Sequence, residues 1–552
     1  MKLSTIAMAA AAIFTTANAH AAEYRVVPLP IDNIGINHFG QVITNDGTLV
    51  STVQNEYDPR IDTSFFDFEN EAFRSLLTDP EGAEAGEFNV ADLSLILNNF
   101  VNGETTQRIA ASRSYSTDGV GANLIPAFDE LVDGTDEYTG SVTNLVRDAL
   151  DSNTFVGRSD SVYYVVPYIN ENGDEINYVV SDFTVNAFVQ INGDAKRLQS
   201  LDMTLGGLSE AYDISNNMIV AGAGIVSLPE AIVNAIGTCD DPDTRADVPI
   251  EKCQFDLTLN LATGARNAHV WQLDNSGNVI NLETYGFLFE PEEDDTNNYT
   301  STAYGVNDSG LAVGVASNGE IIVVGQIPQL QNVAVTFSDG VINELLPTDE
   351  NLLSEALHVN DDYIIGTVTR DFSGNPRRRL FIYNIETESA VYPDGFFSSS
   401  VTLPRAINSN NEIVGEGESE IISSNSRDKS AFLYRIDTDE FIDLNTLIAC
   451  DSDYRLVDAT DINDNGEIIA NARVRAPVRD AKGEIVLDDN GEQTLIDRVV
   501  AVKLEPISGG VIDNCNGDDD QDSFERSGAG IGSFLITFLA LITLRRRLRC
   551  KR

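Results

Sequence analysis

The chain has 552 residues and a formal net charge of −52, and this arithmetic excludes several classes of protein. Nucleic-acid binding is excluded because a polyanion of this size repels a phosphate backbone. A hydrophobic fraction of 42% is too high for a disordered acidic chain, and four His leave little room for a His-based site. We therefore expect a large, folded, acidic protein.

Residues 1–22 have the pattern of a secretory signal peptide. Lys2 supplies the positive charge at the start, Ile6–Phe14 is a short apolar stretch, and Ala17–Ala19 and Ala19–Ala21 are small-x-small cleavage sites. We predict cleavage close to these sites. The mature chain would then work outside the cytoplasm.

Residues 23–506 contain an internal repeat of the form Ala-x-x-Ile/Val-Asn-x-x-Gly-x-Ile-Val-Gly. Clear copies are Ala211–Gly222, Ala303–Gly314, Ala356–Gly366, Ala406–Gly415 and Ala459–Ala470. From Ala303 onward they recur about every 50 residues. Ala149–Gly157 and Asn37–Val53 are degenerate copies, and Asn98–Ala111 is a weaker candidate. The count is then seven or eight units.

A second apolar element alternates with the first. Its copies are Ala187–Gln190, Ala268–Trp271, Ala334–Phe337, Leu380–Tyr383, Ala431–Tyr434 and Ala501–Leu504. Asn, Asp and Gly between the elements favour hairpin turns, and the β-branched flanks favour strands. One unit thus makes about four short strands, the size of a propeller blade. We predict an all-β, seven- or eight-bladed β-propeller, closed by the strand Tyr24–Leu29; an open solenoid or tandem sandwiches are the alternative.

Four insertions interrupt the repeat, at about residues 66–103, 120–150, 225–262 and 286–299. Within the first two, Leu93–Phe100 and Ser141–Leu150 have apolar residues at helical spacing, so we predict helices there. Insertions on a propeller lie at blade connections, where binding residues are often found.

The cysteines fit an oxidising compartment. Cys239 and Cys253 lie 14 residues apart in one insertion, and Cys450 and Cys515 flank the last repeat, while Cys550 lies in the basic tail. Four extracytoplasmic cysteines allow three pairings, of which we favour Cys239–Cys253 and Cys450–Cys515. A metal site is the alternative, although no CxxC motif occurs and no His lies nearby.

Other polar motifs give weak candidates for a site. Asp461, Asn463 and Asn465 resemble the first half of a calcium loop, but Ala472 occupies the position that needs a bidentate carboxylate. The same pattern recurs in other units as a hairpin turn. Arg377–Arg379 is the one basic cluster of the predicted propeller, and it either balances acidic neighbours or docks an anionic partner. We expect structural roles for His269 and His358, and a turn at His38.

The composition of the C-terminal region predicts a linker followed by a membrane segment. Residues 507–528 form an acidic linker, and Ala529–Leu544 is an apolar stretch at the short end for a transmembrane helix. Arg545, Arg546 and Arg547 begin a basic cluster that should stay cytoplasmic. A sorting signal that is removed and a plain membrane anchor both fit this pattern.

Two family resemblances follow from these motifs. The tail resembles the GlyGly-type sorting signals of Gram-negative bacteria, with Ser527, Gly528, Gly530 and Gly532 as its small-residue motif. This resemblance implies type II export and processing by a rhomboid-like protease. The repeats, for example Leu201–Gly222, resemble the HAF repeats of exported bacterial proteins. Together they are similar to an uncharacterised exported family of marine gammaproteobacteria, which implies location and fold but no activity.

Two classes of function stay open. The sequence favours a non-enzymatic binding propeller at the cell surface or in secreted form, because no GxSxG, HExxH, P-loop or dinucleotide motif occurs in a supporting context. The alternative is an extracellular propeller enzyme, a lyase or hydrolase that acts on a polymer. We expect no cofactor beyond the calcium candidate. Expected partners are the export machinery, the sorting protease, the inner membrane before processing and an extracellular ligand.

Overall fold

The computed structural model describes residues 22–511, except residues 32, 293, 294, 296, 424 and 425. This part of the chain forms seven four-stranded antiparallel sheets and one two-stranded hairpin. It also contains five short α-helices. The seven sheets are the blades of a propeller, numbered here in chain order.

Strand β1 (Tyr24–Pro28) precedes the first blade. Blade 1 contains β2 (Gly35–Ile43), β3 (Leu49–Glu56), then helices α1 (Glu71–Arg74), α2 (Pro80–Glu84) and α3 (Val90–Asn99), then β4 (Ser112–Thr117) and β5 (Ala122–Ile125). Blade 2 contains β6 (Asn144–Asp151), β7 (Thr154–Ser159), the side hairpin of β8 (Tyr163–Ile169) and β9 (Glu175–Ser181), then β10 (Asn186–Ile191) and β11 (Asp194–Leu198). Blade 3 contains β12 (Ser209–Ile214), β13 (Ile219–Ser227), helices α4 (Glu230–Asp240) and α5 (Ile250–Thr258), then β14 (Ala265–Leu273) and β15 (Val279–Tyr285).

The remaining blades have no helical insertion among their described residues. Blade 4 contains β16 (Ser301–Val306), β17 (Ala312–Val324), β18 (Ile327–Ser338) and β19 (Val341–Glu344). Blade 5 contains β20 (Leu353–Val359), β21 (Tyr363–Phe372), β22 (Asn375–Asn384) and β23 (Ser389–Val391). Blade 6 contains β24 (Thr402–Ile407), β25 (Glu412–Ser423), β26 (Ser426–Arg435) and β27 (Glu440–Asp443). Blade 7 contains β28 (Arg455–Ile462), β29 (Ile468–Pro477) and β30 (Leu495–Pro506), and its fourth strand is β1.

The blades close into a ring. The first strand of each blade contacts the first strands of both neighbouring blades, and β2 of blade 1 contacts β28 of blade 7. The N-terminal strand β1 pairs with β30, from Tyr24 opposite Pro506 to Pro28 opposite Val502. The predicted closure by the N-terminal strand is therefore confirmed. A closed ring also excludes the open solenoid and the tandem sandwiches.

The ring has seven blades, so the eighth candidate repeat is wrong. Residues 98–111 end α3 and continue as an irregular connection to β4, without a pair of strands. Their Asn and Gly residues mark turns of an insertion, and not the hairpin of a blade.

Each first strand carries a β-bulge at the same point of the repeat. The bulge residues are Gln41, Arg147, Tyr212, Tyr304, Leu357, Arg405 and Thr460. The glycine that ends the repeat motif lies across from the bulge. A Cβ on Gly366 would lie 2.1 Å from the carbonyl oxygen of Glu355 and 2.6 Å from the Phe381 ring. Glycine is needed here because the bulged strand and the buried aromatic approach the backbone closely.

The bulge also explains one wrong prediction. Ser141–Leu150 was predicted as a helix inside an insertion at 120–150, but the structure has β5 and then β6 there. Val146 and Ala149 are both buried and lie three residues apart, because the bulge at Arg147 adds one residue between them. An extra residue in a strand produces the spacing that helices show.

Two predicted insertions are helical. Residues 66–103 contain α1 to α3, and residues 225–262 contain α4 and α5, which a disulfide between Cys239 and Cys253 joins. Residues 286–299 connect β15 to β16 without a helix among the described residues. No helix of the described part is long and apolar enough to cross a membrane, and the segment predicted to do so, 529–544, lies outside it.

The ring has two faces that differ in construction. The turn face carries the connections between the first and second strands of the blades. The insertion face carries the connections between the second and third strands, which hold the helices of blades 1 and 3 and the side hairpin of blade 2. In blades 4 to 7 the second and third strands extend on this same face.

On the turn face, the Asn of the repeat clamps neighbouring blades together. In four blades the Nδ2 of this Asn donates to a turn carbonyl of the next blade, at 2.9 to 3.3 Å. The four residues are Asn307, Asn360, Asn408 and Asn463. In the last of these, Asn463 reaches Thr44 of blade 1. Each Oδ1 also accepts backbone N–H groups of its own turn. The repeated Asn therefore caps a turn and holds the ring closed.

Candidate functional site

The mouth of the axial channel on the insertion face is the candidate site. We define the mouth by the seven bulge residues together with the charged side chains that contact them. Arg147 lies over the Tyr212 ring, with its guanidinium carbon 5.8 Å from the ring centroid, and the rings of Tyr212 and Tyr304 meet edge to face at 5.1 Å. Side chains from blades 2, 3 and 4 thus converge at one place.

A charged network fixes one side of the mouth. Glu210 binds Arg158 at 2.6 Å and Arg266 at 2.9 Å, and it also accepts the hydroxyl of Tyr212. Burial alone would raise the pKa of Glu210, but Arg266, Tyr212 and Arg158 hold it at about 2. This carboxylate is therefore always ionised near neutral pH, and it fixes the position of Tyr212.

A second network lies across the channel, on blades 5 to 7. Arg405 binds Asp458 at 3.2 Å and Glu416 at 3.3 Å, and Lys429 binds Glu416 at 2.8 Å. On blade 5, Glu355 of β20 pairs with Arg378 of β22, two strands away in the sheet. The mouth thus combines fixed donors and fixed acceptors in one layer.

Arg147 differs from the other charged residues of the mouth in its salt-bridge pairing. It is exposed, and within the described part of the chain no carboxylate lies within salt-bridge distance of it. Desolvation is the largest cause that lowers its pKa, and the charges of Arg158 and Arg405 lower it further, while Tyr212 and Glu210 raise it. Arg147 is therefore a cation near two other cations and near Glu210, without a salt bridge in the described part.

Directly after the bulges, three aspartates and a histidine occupy the channel. Oδ2 of Asp148, Asp213 and Asp461 each accepts a backbone N–H from the next blade, at 2.7 to 2.9 Å. Burial and the neighbouring carboxyl of Asp213 raise the pKa of Asp148 well above its usual value. Burial raises the pKa of Asp461 to about 7, while it lowers the pKa of His358.

The calcium candidate is not assembled as a set of ligands. Asp461 accepts N–H groups from Ile43 and Ile462, while Asn463 and Asn465 donate to carbonyls of blade 1. These groups hold blade 7 to blade 1. Among the residues that the structure describes, no group of three or more His, Cys, Asp or Glu is arranged to hold a metal ion.

The other candidates have structural partners. His38 lies on β2 and not in a turn, and its Nδ1 accepts the N–H of Ala501. His269 accepts the N–H of Leu201, and burial lowers its pKa to about 4. The cluster Arg377–Arg379 pairs with Glu418, Glu355 and Asp394. Cys450 is disulfide-bonded, but Cys515 lies outside the described residues, so their pairing stays a prediction.

A cleft of about 440 Å³ lies away from the mouth, between blades 2 and 3. Lys196, Ser200, Trp271 and Asn278 line it, and Trp271 donates to the carbonyl of Gln199 across the blade boundary. The cleft is a gap between two packed blades near their outer strands. It brings together none of the residues that converge at the mouth.

Sequence reasoning missed the mouth. One position of the repeat varies between units and lies two residues before the apolar position of the motif; Arg147, Tyr212, Tyr304 and Arg405 occupy it. Aligning the units by their bulge would have placed them in one row. The signal that could have found these residues is the change of residue type at this one position. A consensus pattern hides it, because it keeps only what the units share.

The fold and the mouth define a closed seven-bladed β-propeller with a polar axial opening. The chain belongs to the family described as protein of unknown function (DUF3466), whose family model matches residues 1–547. No curated protein matches the chain.

Solved propeller structures are similar to the chain only distantly. A putative TolB from Agrobacterium tumefaciens is 9% identical with a TM-score of 0.27, over 64% of this chain and 99% of that one. An oligogalacturonate lyase in complex with manganese is 9% identical with a TM-score of 0.32, over 88% of this chain and 99% of that one. The β-propeller domain of the Trilobed protease from Pyrococcus furiosus is 10% identical with a TM-score of 0.27, over 64% and 92%. Likenesses at this level say nothing about function.

Proposed function

We propose that this protein is an exported binding propeller that holds an extracellular ligand over the axial mouth of the insertion face. The observation that carries the proposal is the convergence of Arg147, Tyr212 and Tyr304 from three blades. Binding sites combine apolar ring surface with a few oriented polar groups, and they lie where loops meet on a rigid scaffold.

The charge pairing at the mouth supports binding over catalysis. Glu210, Glu416 and Asp458 are each held by arginine or lysine. Burial alone would raise the pKa of Glu210, but Arg266, Tyr212 and Arg158 hold it at about 2, so this carboxylate orients a ligand well and is a poor proton acceptor. Burial raises the pKa of Asp458 in spite of its arginine partner. The Glu210 side of the mouth therefore resembles a recognition surface more than an acid/base centre.

A specific observation favours a second candidate function, an extracellular lyase or hydrolase acting on a polymer. The neighbouring carboxyls of Asp148 and Asp213 lie directly behind the mouth, and the pKa of Asp148 is raised well above its usual value. A carboxyl group whose pKa is raised beside a second carboxyl group can act as a general acid. Turnover of a polymer that Asp148→Asn abolishes would establish this enzyme in place of the binding protein.

The proposal includes export and tail processing. The signal peptide at residues 1–22 and the tail from Ser527 to Arg552, with its resemblance to GlyGly-type signals, support it. Intact-mass measurement of the protein from outer fractions tests it. Loss of the tail agrees with a sorting protease, whereas a mass that includes Arg552 leaves a membrane anchor.

The binding proposal is tested with a glycan and metabolite screen on the mature chain. We expect ligands that Tyr212→Ala weakens by about tenfold or more, since an aromatic anchor at a binding site contributes about 1–2 kcal/mol. Tyr383→Ala, on the third strand of blade 5, is the control. Ligands that bind both variants as well as the wild type would place the site elsewhere.

A further inference from the structure

The most informative charge at the mouth is a cation that has no salt bridge among the described residues. The chain is strongly acidic, and most of the described arginines have a carboxylate within 4 Å. Arg147 has none at that distance in the described part, although the charges of Arg158, Glu210 and Arg405 all act on it. Arg158 and Arg405 are each held by carboxylates, so the guanidinium of Arg147 is the one among these three that can pair with an anionic ligand.

We propose that the mouth binds a small hydroxylated monocarboxylate, a sugar acid, whose carboxylate pairs with the guanidinium of Arg147. This inference rests on the proposed function and names the ligand class of the same site. The planar guanidinium fork fits a carboxylate with two parallel hydrogen bonds. The guanidinium carbon lies over the Tyr212 ring, 5.8 Å from its centroid.

The neighbouring acids restrict the charge of the ligand. Glu210, Glu416 and Asp458 lie at the mouth, and each forms a salt bridge with an arginine or a lysine. They would repel a phosphate monoester, which carries more than one negative charge near neutral pH, and the net charge of −52 would repel a polyanion. A singly charged anion, such as one carboxylate, fits this setting.

The same acids favour a ligand with hydroxyl groups. A carboxylate has about four lone-pair positions, and the salt bridges at Glu416 and Asp458 use only part of them. Sugar hydroxyls donate to such acceptors, and the rings of Tyr212 and Tyr304 offer apolar surface to a sugar face. An amino-acid or peptide carboxylate lacks these hydroxyls, so we argue for the sugar acid.

Calorimetric titration of the mature chain with galacturonate, galactose, inorganic phosphate and an N-acetylated peptide acid tests the inference. We expect galacturonate to bind at least about tenfold more tightly than galactose, since a charge-assisted pair contributes about 1.5–3 kcal/mol. Arg147→Gln should reduce this preference to less than about twofold, and Arg147→Lys should keep part of it. Arg25→Gln, an exposed arginine on β1, should leave it unchanged.

The other outcomes separate this inference from the proposed function. Galactose binding equal to galacturonate, or an unchanged preference in Arg147→Gln, overturns the sugar acid but keeps a mouth that binds sugars. Competition by phosphate as strong as galacturonate, or binding of the peptide acid alone, replaces the ligand class. If no probe binds and the ligands of the wider screen are insensitive to Tyr212→Ala, the proposed function fails as well. Thermal unfolding of each variant checks that it is folded.

Discussion

The two faces of the propeller are built from the same seven first strands, yet they differ in what they do. On the turn face, Asn307, Asn360, Asn408 and Asn463 repeat one contact from blade to blade. On the insertion face, the bulge position changes from Arg147 to Tyr212 to Leu357. Where the sequence repeats, it holds the ring together, and where it departs from the repeat, it provides the chemistry of the mouth.

The largest expected effect lies on the turn face, with Asn463→Ala. The substitution leaves two turn N–H groups without their partner and removes one of the two donors to the carbonyl of Thr44, at the point where blade 7 meets blade 1. We expect the free energy of unfolding to fall by about 2–4 kcal/mol. Urea denaturation measures this. Asn490→Ala, in an exposed hairpin turn of blade 7, should lower the free energy of unfolding by well under half as much. Equal losses would show that the contact between blades contributes no more than an ordinary turn.

The next effect lies on the insertion face but is local. Removing the Cys239–Cys253 disulfide with Cys239→Ser and Cys253→Ser frees the loop that joins α4 and α5. A loop of this length predicts a loss of about 3 kcal/mol for the segment that it closes. Limited proteolysis should cut residues 228–264 first, while the unfolding midpoint of the ring changes little. If the unfolding midpoint of the ring also falls substantially, the insertion supports the whole ring.

A smaller effect depends on pH. Burial raises the pKa of Asp160 to about 7 from 3.8, and its Oδ1 has no hydrogen-bond partner in the described part. Because the folded state holds this proton more tightly, its stabilising contribution is present below pH 3.8 and is lost as the pH rises through 7. Asp160→Asn should therefore match the wild type near pH 4 and be more stable by about 1–2 kcal/mol at pH 8.

Chemical denaturation at the two pH values measures this difference. Asp133→Asn, an exposed carboxylate, serves as the control and should change stability equally at both. The assignment of a raised pKa would be contradicted if the stability of the wild type relative to Asp160→Asn were higher at pH 8 than at pH 4.

The smallest effect on stability belongs to the residue that we place at the centre of binding. Arg147→Gln removes a cation that has no salt bridge in the described residues and that Arg158 and Arg405 repel. We expect the free energy of unfolding to change by less than about 0.5 kcal/mol. Thermal and urea unfolding together check this. A large loss of stability would mean that Arg147 is a structural residue, and the contrast between the two faces would weaken.

Much of the fold was predictable from the sequence, and the failures have identifiable causes. The repeat of Asn and Gly turns gave the blades, and Tyr24–Leu29 was rightly assigned to closing the ring. Ser141–Leu150 failed because a bulge mimics helical spacing, and Asn98–Ala111 failed because turn residues also occur in insertions. The disulfide Cys239–Cys253 was predictable because two cysteines lay in one insertion.

The sequence by itself determined what is local: the turns, the alternation of the strands and the repetition of nearly equal units. These features depend on the preferences of a few neighbouring residues. Only the tertiary structure decided that Arg147, Tyr212 and Tyr304 meet, and that Asp461 and Asn463 join two blades. Those contacts join residues far apart in the chain, and they exist only because closing the ring brings its first strands around one axis.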